Sequence, residues 1–114
     1  MVAESFERFF ADLRADYQRR LPEKLAELDN LWGALTSGSL PSARMADLQR
    51  ELHTLTGTAK TMGLPAVTDA ARAAESFIEP YLAQATLPAP AAQNQFSRLL
   101  DELKRSAAVS HEAP

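Results

Sequence analysis

The apolar residues of this chain recur at the period of an α-helix almost from end to end. Phe6, Phe10, Leu13, Tyr17 and Leu21 step by four, three, four and four, and Leu25, Leu28, Trp32 and Leu35 carry the stripe onward. Such spacing paints one face of a helix. Pro22 interrupts it, so either a second helix starts with Pro22 in its first turn or one long helix kinks there. The unbroken phase of the stripe favours a kink or a very short join. Ser37-Gly38-Ser39 closes the region, with Gly38 suited to a left-handed cap. Pro41 opens the next helix, whose stripe is Met45, Leu48, Leu52, Leu55, Ala59 and Met62, and Gly63 is its natural stop. Leu64-Pro65 starts a third helix, marked by Val67, Ala70, Ala71, Ala74, Phe77, Ile78 and Tyr81, which Pro80 should end or bend. A loop at Leu87-Pro88-Ala89-Pro90 leads to a last helix marked by Phe96, Leu99, Leu100, Leu103 and Ala107.

No segment alternates apolar and polar residues with β-branched enrichment, so no sheet is expected. The predicted fold is all-α: an antiparallel four-helix bundle with an additional short or kinked N-terminal helix. It should span residues 1–109, with 110–114 as a disordered tail or linker. At 114 residues there is room for one such domain.

Composition then removes whole classes of function. Twelve Lys and Arg against fifteen Asp and Glu leave a net charge of −3, and no basic run is present, so nucleic acid is a poor partner. There is no cysteine, which excludes thiol chemistry and disulfides. Two histidines, His53 and His111, cannot make a polyhistidine metal cluster, and no metal site or resident cofactor is expected. The four glycines never cluster into a phosphate-binding loop. No signal peptide is recognisable, and no apolar run approaches the ~20 residues needed to span a bilayer. A cytoplasmic, monomeric protein is expected.

His53 is the chemically suggestive side chain. On a wheel of about 100° per residue it falls roughly 130° from the centre of the stripe of its helix, so it should face solvent. Gly57 follows one turn later in what should be a helix interior, where glycine costs about 1 kcal/mol relative to alanine. It also lies opposite the core stripe, so internal packing does not explain its missing side chain. The remaining physical reason is clearance for something that approaches this turn closely. Lys60 completes an i, i+4, i+7 row, and Thr56 borders it with a hydroxyl. An exposed imidazole, a bare turn and an ammonium in one row suit an imidazole that must meet an anionic group on a partner.

The run His53-Thr54-Leu55-Thr56-Gly57-Thr58-Ala59-Lys60-Thr61-Met62-Gly63 resembles the signature of histidine-containing phosphotransfer (HPt) domains, His-x-Leu-Lys-Gly-Ser/Thr-Ala with a second glycine six residues after the first. Leu21 through Leu28 looks like the family's helix before the acceptor helix, and Leu64 through Glu75 like the Ala-rich helix after it. The likeness covers roughly residues 5–108. It implies a phosphoryl carrier without kinase activity or ATP binding, which accepts phosphoryl from a receiver aspartate or a kinase and passes it to a receiver aspartate. Carried to this chain, His53 would be the phosphoacceptor through a neutral ring nitrogen. Lys60 would face the phosphate oxygens, Gly57 would admit the receiver, and Arg50 would add positive potential. The partner would be the receiver domain of a response regulator or hybrid sensor kinase, and it would bring Mg²⁺. One departure stands out: the family usually has lysine three residues after the histidine, where this chain has Thr56, so Lys60 is expected to supply that charge.

Two other readings compete. A helical interaction module could dock on a receiver or another regulator without carrying phosphate, and Thr56 is its best support. A hydrolase using His53 as general base would need a pocket that an exposed convex helix face does not offer. His111 reads as a bystander in the tail, Trp32 as core, and the carboxylates as solvated helix faces with no pair placed for acid–base work.

Overall fold

The computed structural model describes residues 2–112, with side chains over 3–109. Four helices make the fold: α1 (Val2–Thr36), α2 (Met45–Thr61), α3 (Pro65–Leu82) and α4 (Pro90–Glu112), with a short 3-10 turn over Ser42–Arg44 leading into α2. There is no strand among the described residues. Each helix runs antiparallel to its neighbours in a closed ring, α1 beside α2 and α4, and α3 beside the same two.

The apolar stripes meet in one core. Leu21, Leu25, Leu28, Trp32 and Leu35 of α1 face Met45, Leu48, Leu52, Leu55 and Ala59 of α2, with Val67, Ala71, Ala74 and Ile78 of α3 and Phe96, Leu100, Leu103 and Ala107 of α4 closing the interior. Trp32 belongs to this core: its ring packs edge-on against Phe96 at 4.6 Å, and its Nε1–H donates to Ser97 Oγ at 3.1 Å. The alanines of α3 are what let α2 and α3 lie close enough for their polar side chains to meet.

The structure decides between the alternatives open at Pro22 and Pro80, and it departs from the sequence reading along the first part of α1. Pro22 neither starts a new helix nor leaves a separate N-terminal one: α1 is continuous through it. Pro80 sits in the last turn of α3, which ends two residues later at Leu82. Most consequentially, the first part of the α1 stripe is not core. Phe6, Phe10 and Leu13 are 61, 36 and 37 % exposed, because α1 runs on past the end of the bundle that the other helices define. At the C-terminus of the chain, α4 continues to Glu112, into the stretch read as a tail; the side chains from 110 onward, His111 among them, and residues 113–114 lie outside the described residues.

The turn between α2 and α3 fixes the site's lower edge. Gly63 has φ of +73°, a left-handed conformation that side-chain-bearing residues rarely adopt, and the N–H groups of Gly63 and Leu64 close back on Lys60 O and Ala59 O. Arg14 of α1 caps the same turn, donating from Nε to Met62 O at 2.7 Å.

Candidate functional site

The stripe of α2 puts Leu48, Leu52, Leu55 and Ala59 into the core. That choice turns His53 outward, and its side chain is 73 % exposed. The ring is not loose. Its Nδ1 lies 2.6 Å from Glu75 Oε2 of α3, a carboxylate only 15 % exposed. Gln49, one turn before His53, donates from Nε2 to the same oxygen at 3.2 Å. A carboxylate can only accept, so Nδ1 carries the proton in this contact. In the neutral ring the other nitrogen, Nε2, then carries the lone pair. The pair is an anion placed to favour any positive charge the ring gains.

Gly57 lies one turn further along the same face. A Cβ built on it would meet nothing within 4 Å, so the backbone of this turn is bare to solvent. No internal packing requires the glycine there.

Lys60 is exposed at the end of the row. With Arg72 of α3 it lines a shallow depression of about 270 Å³ at the α2–α3 turn. Arg72 makes one long ion pair, 3.9 Å to Asp69. Arg50 is exposed one turn before His53, but its Nη1 leans back to Asp47 at 3.3 Å. Asp47 also binds Arg44, and these hydrogen bonds and charges, that of Arg44 first, hold its carboxyl below the usual carboxylate range. Arg50 therefore contributes field at this end of the face rather than a contact to the ring.

Thr56 departs from expectation. It is buried, and its Oγ1 donates to Leu52 O at 2.8 Å, so its hydroxyl is spent inside α2 and does not border the exposed row. The physical reason is angular: three residues after His53 the helix has turned back to the flank of the core stripe. The structure thus brings His53, Gly57 and Lys60 onto one face, keeps Arg50 at its edge, and removes Thr56.

Glu75 and Gln49 were not singled out from sequence. The signal for Glu75 is weak: it is an acidic residue following the alanines of α3, with nothing local to distinguish it from Glu79. Its role depends on how α3 packs against α2, which no single helix pattern reveals. Among the described residues no group of three or more His, Asp or Glu is placed to hold a metal ion. None of the helices is long and apolar enough to cross a membrane.

A family model for the Hpt domain matches residues 12–108, which includes all of α2 and α3 and most of α1 and α4. Neither a curated protein nor a solved structure gives a match to the chain.

Proposed function

The chain belongs to the Hpt domain family, and we propose on that basis that it is a phosphohistidine carrier of a two-component phosphorelay, with His53 as its phosphoacceptor. The observation that carries the reading is the His53–Glu75 contact, which in the neutral ring leaves the lone pair on Nε2, on an exposed side chain beside a bare turn. In the forward step the Nε2 lone pair attacks the phosphorus of a receiver aspartyl phosphate. An N–P bond forms, the acyl P–O bond breaks, and the aspartate leaves as carboxylate. In that neutral tautomer no proton has to leave Nε2. The ring becomes a cation while the phosphoryl group is attached, and Glu75 stabilises it through Nδ1–H. The return step runs the same bonds in reverse toward a second receiver aspartate.

Positioning and charge neutralisation do most of the work in phosphoryl transfer. Lys60 is assigned to the phosphate oxygens, with Gly57 giving the receiver room to approach. The receiver supplies Mg²⁺ and the acidic pocket; the carrier itself contributes neither kinase activity nor ATP binding. A cytoplasmic location follows from that partner.

One observation favours a second reading. With Thr56 turned inward, no cation stands three residues after His53, as would suit a module that docks on receivers without carrying phosphate. One experiment separates the two. The chain and its His53→Gln variant are incubated with a phosphorylated receiver, and acid-labile label on the chain is followed. Label on the parent and none on the variant supports the carrier. Absence of label on a parent that still binds the receiver supports the docking module, and label on the variant removes His53 from its role.

A further inference from the structure

The first turns of α1 are an arm without a bundle to cover it. Residues 3–15 are all exposed, and the Arg14–Met62 hydrogen bond marks the level at which the other helices end. Yet the arm carries three phenylalanines. Phe6 and Phe9 are 61 and 58 % exposed, and their rings meet that of Phe10 at centroid distances of 5.0 and 6.3 Å. A dozen helical residues with an uncovered aromatic face are marginal in water on their own. From ~200 Å² for a whole aromatic side chain, Phe6, Phe9, Phe10 and Leu13 together expose on the order of 350 Å² of apolar surface, as much as the largest patch on a typical monomer.

We infer that this arm pairs with the arm of a second copy of the chain, antiparallel, to form a weak symmetric dimer. Phe6, Phe10, Leu13 and Tyr17 are spaced as the d, a, d and a positions of a two-stranded coiled coil. A parallel partner is sterically refused, because past Leu13 that face of α1 is already occupied by α2. An antiparallel partner overlaps the arms and passes their base only with its first turns. Phe10 then packs on Leu13 of the second copy, and Phe6 reaches its Tyr17. There, between α1 and α2, a groove of about 280 Å³ opens at the base of the arm, large enough for a phenyl ring; Leu13, Tyr17, Leu55 and Met62 line it beside Arg20 and Glu51.

Charge selects the same arrangement. Glu7 and Arg14 hold the e positions flanking the seam, and antiparallel pairing sets Glu7 of each copy against Arg14 of the other, twice by symmetry. Arg14 spends its Nε on Met62 O and makes no ion pair among the described residues, which leaves its terminal nitrogens for that carboxylate. Two copies would cover roughly 700 Å² from the four apolar side chains alone, and the flanks bring the contact near the ~1,000 Å² of a reversible interface. The inference does not rest on phosphotransfer.

Sedimentation equilibrium of the full chain from 10 µM to 1 mM tests it. The parent should shift from monomer to dimer within that range, as suits a weak interface of this size. Phe6→Ser with Phe10→Ser should stay monomeric with an unchanged thermal melt, since neither ring is in the core. The decisive arm is charge exchange. Glu7→Arg alone sets Arg against Arg14, and Arg14→Glu alone sets Glu against Glu7; each should raise the midpoint about fivefold or more. An equimolar mixture of the two, or a chain carrying both, should restore it. A parent that is monomeric at 1 mM overturns the inference, as does a dimer indifferent to the serine variants. A dimer weakened by both single swaps but not restored by the mixture overturns the antiparallel pairing. A monomeric parent whose serine variant loses capture by an immobilised receiver would assign the arm to the receiver.

Discussion

Glu75 offers the sharpest test of how this site works. Glu75→Gln keeps a neutral acceptor within reach of His53 Nδ1–H, while Glu75→Ala removes the acceptor altogether. The contact is short, 2.6 Å, and its carboxylate is mostly shielded, but the imidazole side is open to water. A hydrogen bond to a charged group contributes about 1.5–3 kcal/mol, and the exposed ring argues for the lower half of that range. Each 1.36 kcal/mol is a factor of ten in rate. The glutamine variant should therefore transfer about tenfold more slowly, since it holds the ring but does not neutralise its developing charge. The alanine variant should lose about 30- to 100-fold, since the ring then also swings freely and Gln49 loses its acceptor. The assay is a single-turnover time course with labelled phospho-receiver, alongside receiver binding, which neither variant should change by more than about twofold. An alanine variant that transfers at the parental rate would refute the reasoning: the contact would then be an incidental surface pair.

Three further outcomes follow from the same geometry. Gly57→Ala should leave stability unchanged or raise it by about 0.4–1 kcal/mol in a thermal melt, because its Cβ meets nothing; Gly57→Leu should also fold, but slow transfer by about 100-fold by standing where the receiver must approach. Lys60→Ala should change stability by less than about 0.5 kcal/mol, being exposed, while slowing single-turnover transfer by about tenfold; normal transfer would show that another cation meets the phosphate. Burial pushes the Tyr17 phenol up to about 12 from an ordinary value of 10.0. Between those values the unfolded chain releases a proton that the folded one keeps, so stability must fall as pH rises above about 10, by at most ~2.7 kcal/mol at pH 12. Denaturant titrations of the parent and of Tyr17→Phe across that range should show the decline in the parent and a smaller one in the variant.

The bundle was legible in the sequence because its information is local and periodic. Leu48, Leu52, Leu55 and Ala59 repeat at helical spacing, and that alone sets which way α2 faces and hence that His53 and Gly57 face out. The same periodicity overreached at Phe6, Phe10 and Leu13, since an apolar stripe states that a face is to be covered without saying by what. Pro22 was ambiguous for a related reason: a proline within a helix costs a hydrogen bond and a local clash, and only packing on both sides decides whether the helix continues. What stayed hidden was the relation between helices. Glu75 is twenty-two residues from His53, and their contact depends on how α3 settles its alanines against α2.

Position 56 shows how far a local rule can be pushed. Three residues after His53, the helix has turned to the edge of the core, where Thr56 hides its hydroxyl on Leu52 O. A long cation at that position could bury its stem along α2 and carry its charge out to the open face, which a threonine cannot do. The neutralising charge must then come from elsewhere on the same face. Lys60 stands two turns along α2 from the ring, and Arg72 lines the same depression from α3 with only a 3.9 Å ion pair to hold it. Arg50, leaning on Asp47, is the least available of the three. If charge near the phosphate is shared between Lys60 and Arg72, the loss of either alone will be partial. Lys60→Ala combined with Arg72→Ala would then slow transfer by more than the product of the single effects, because each cation covers for the other. Multiplicative losses would instead show two independent contacts, and no loss from Arg72→Ala would leave Lys60 as the sole substitute.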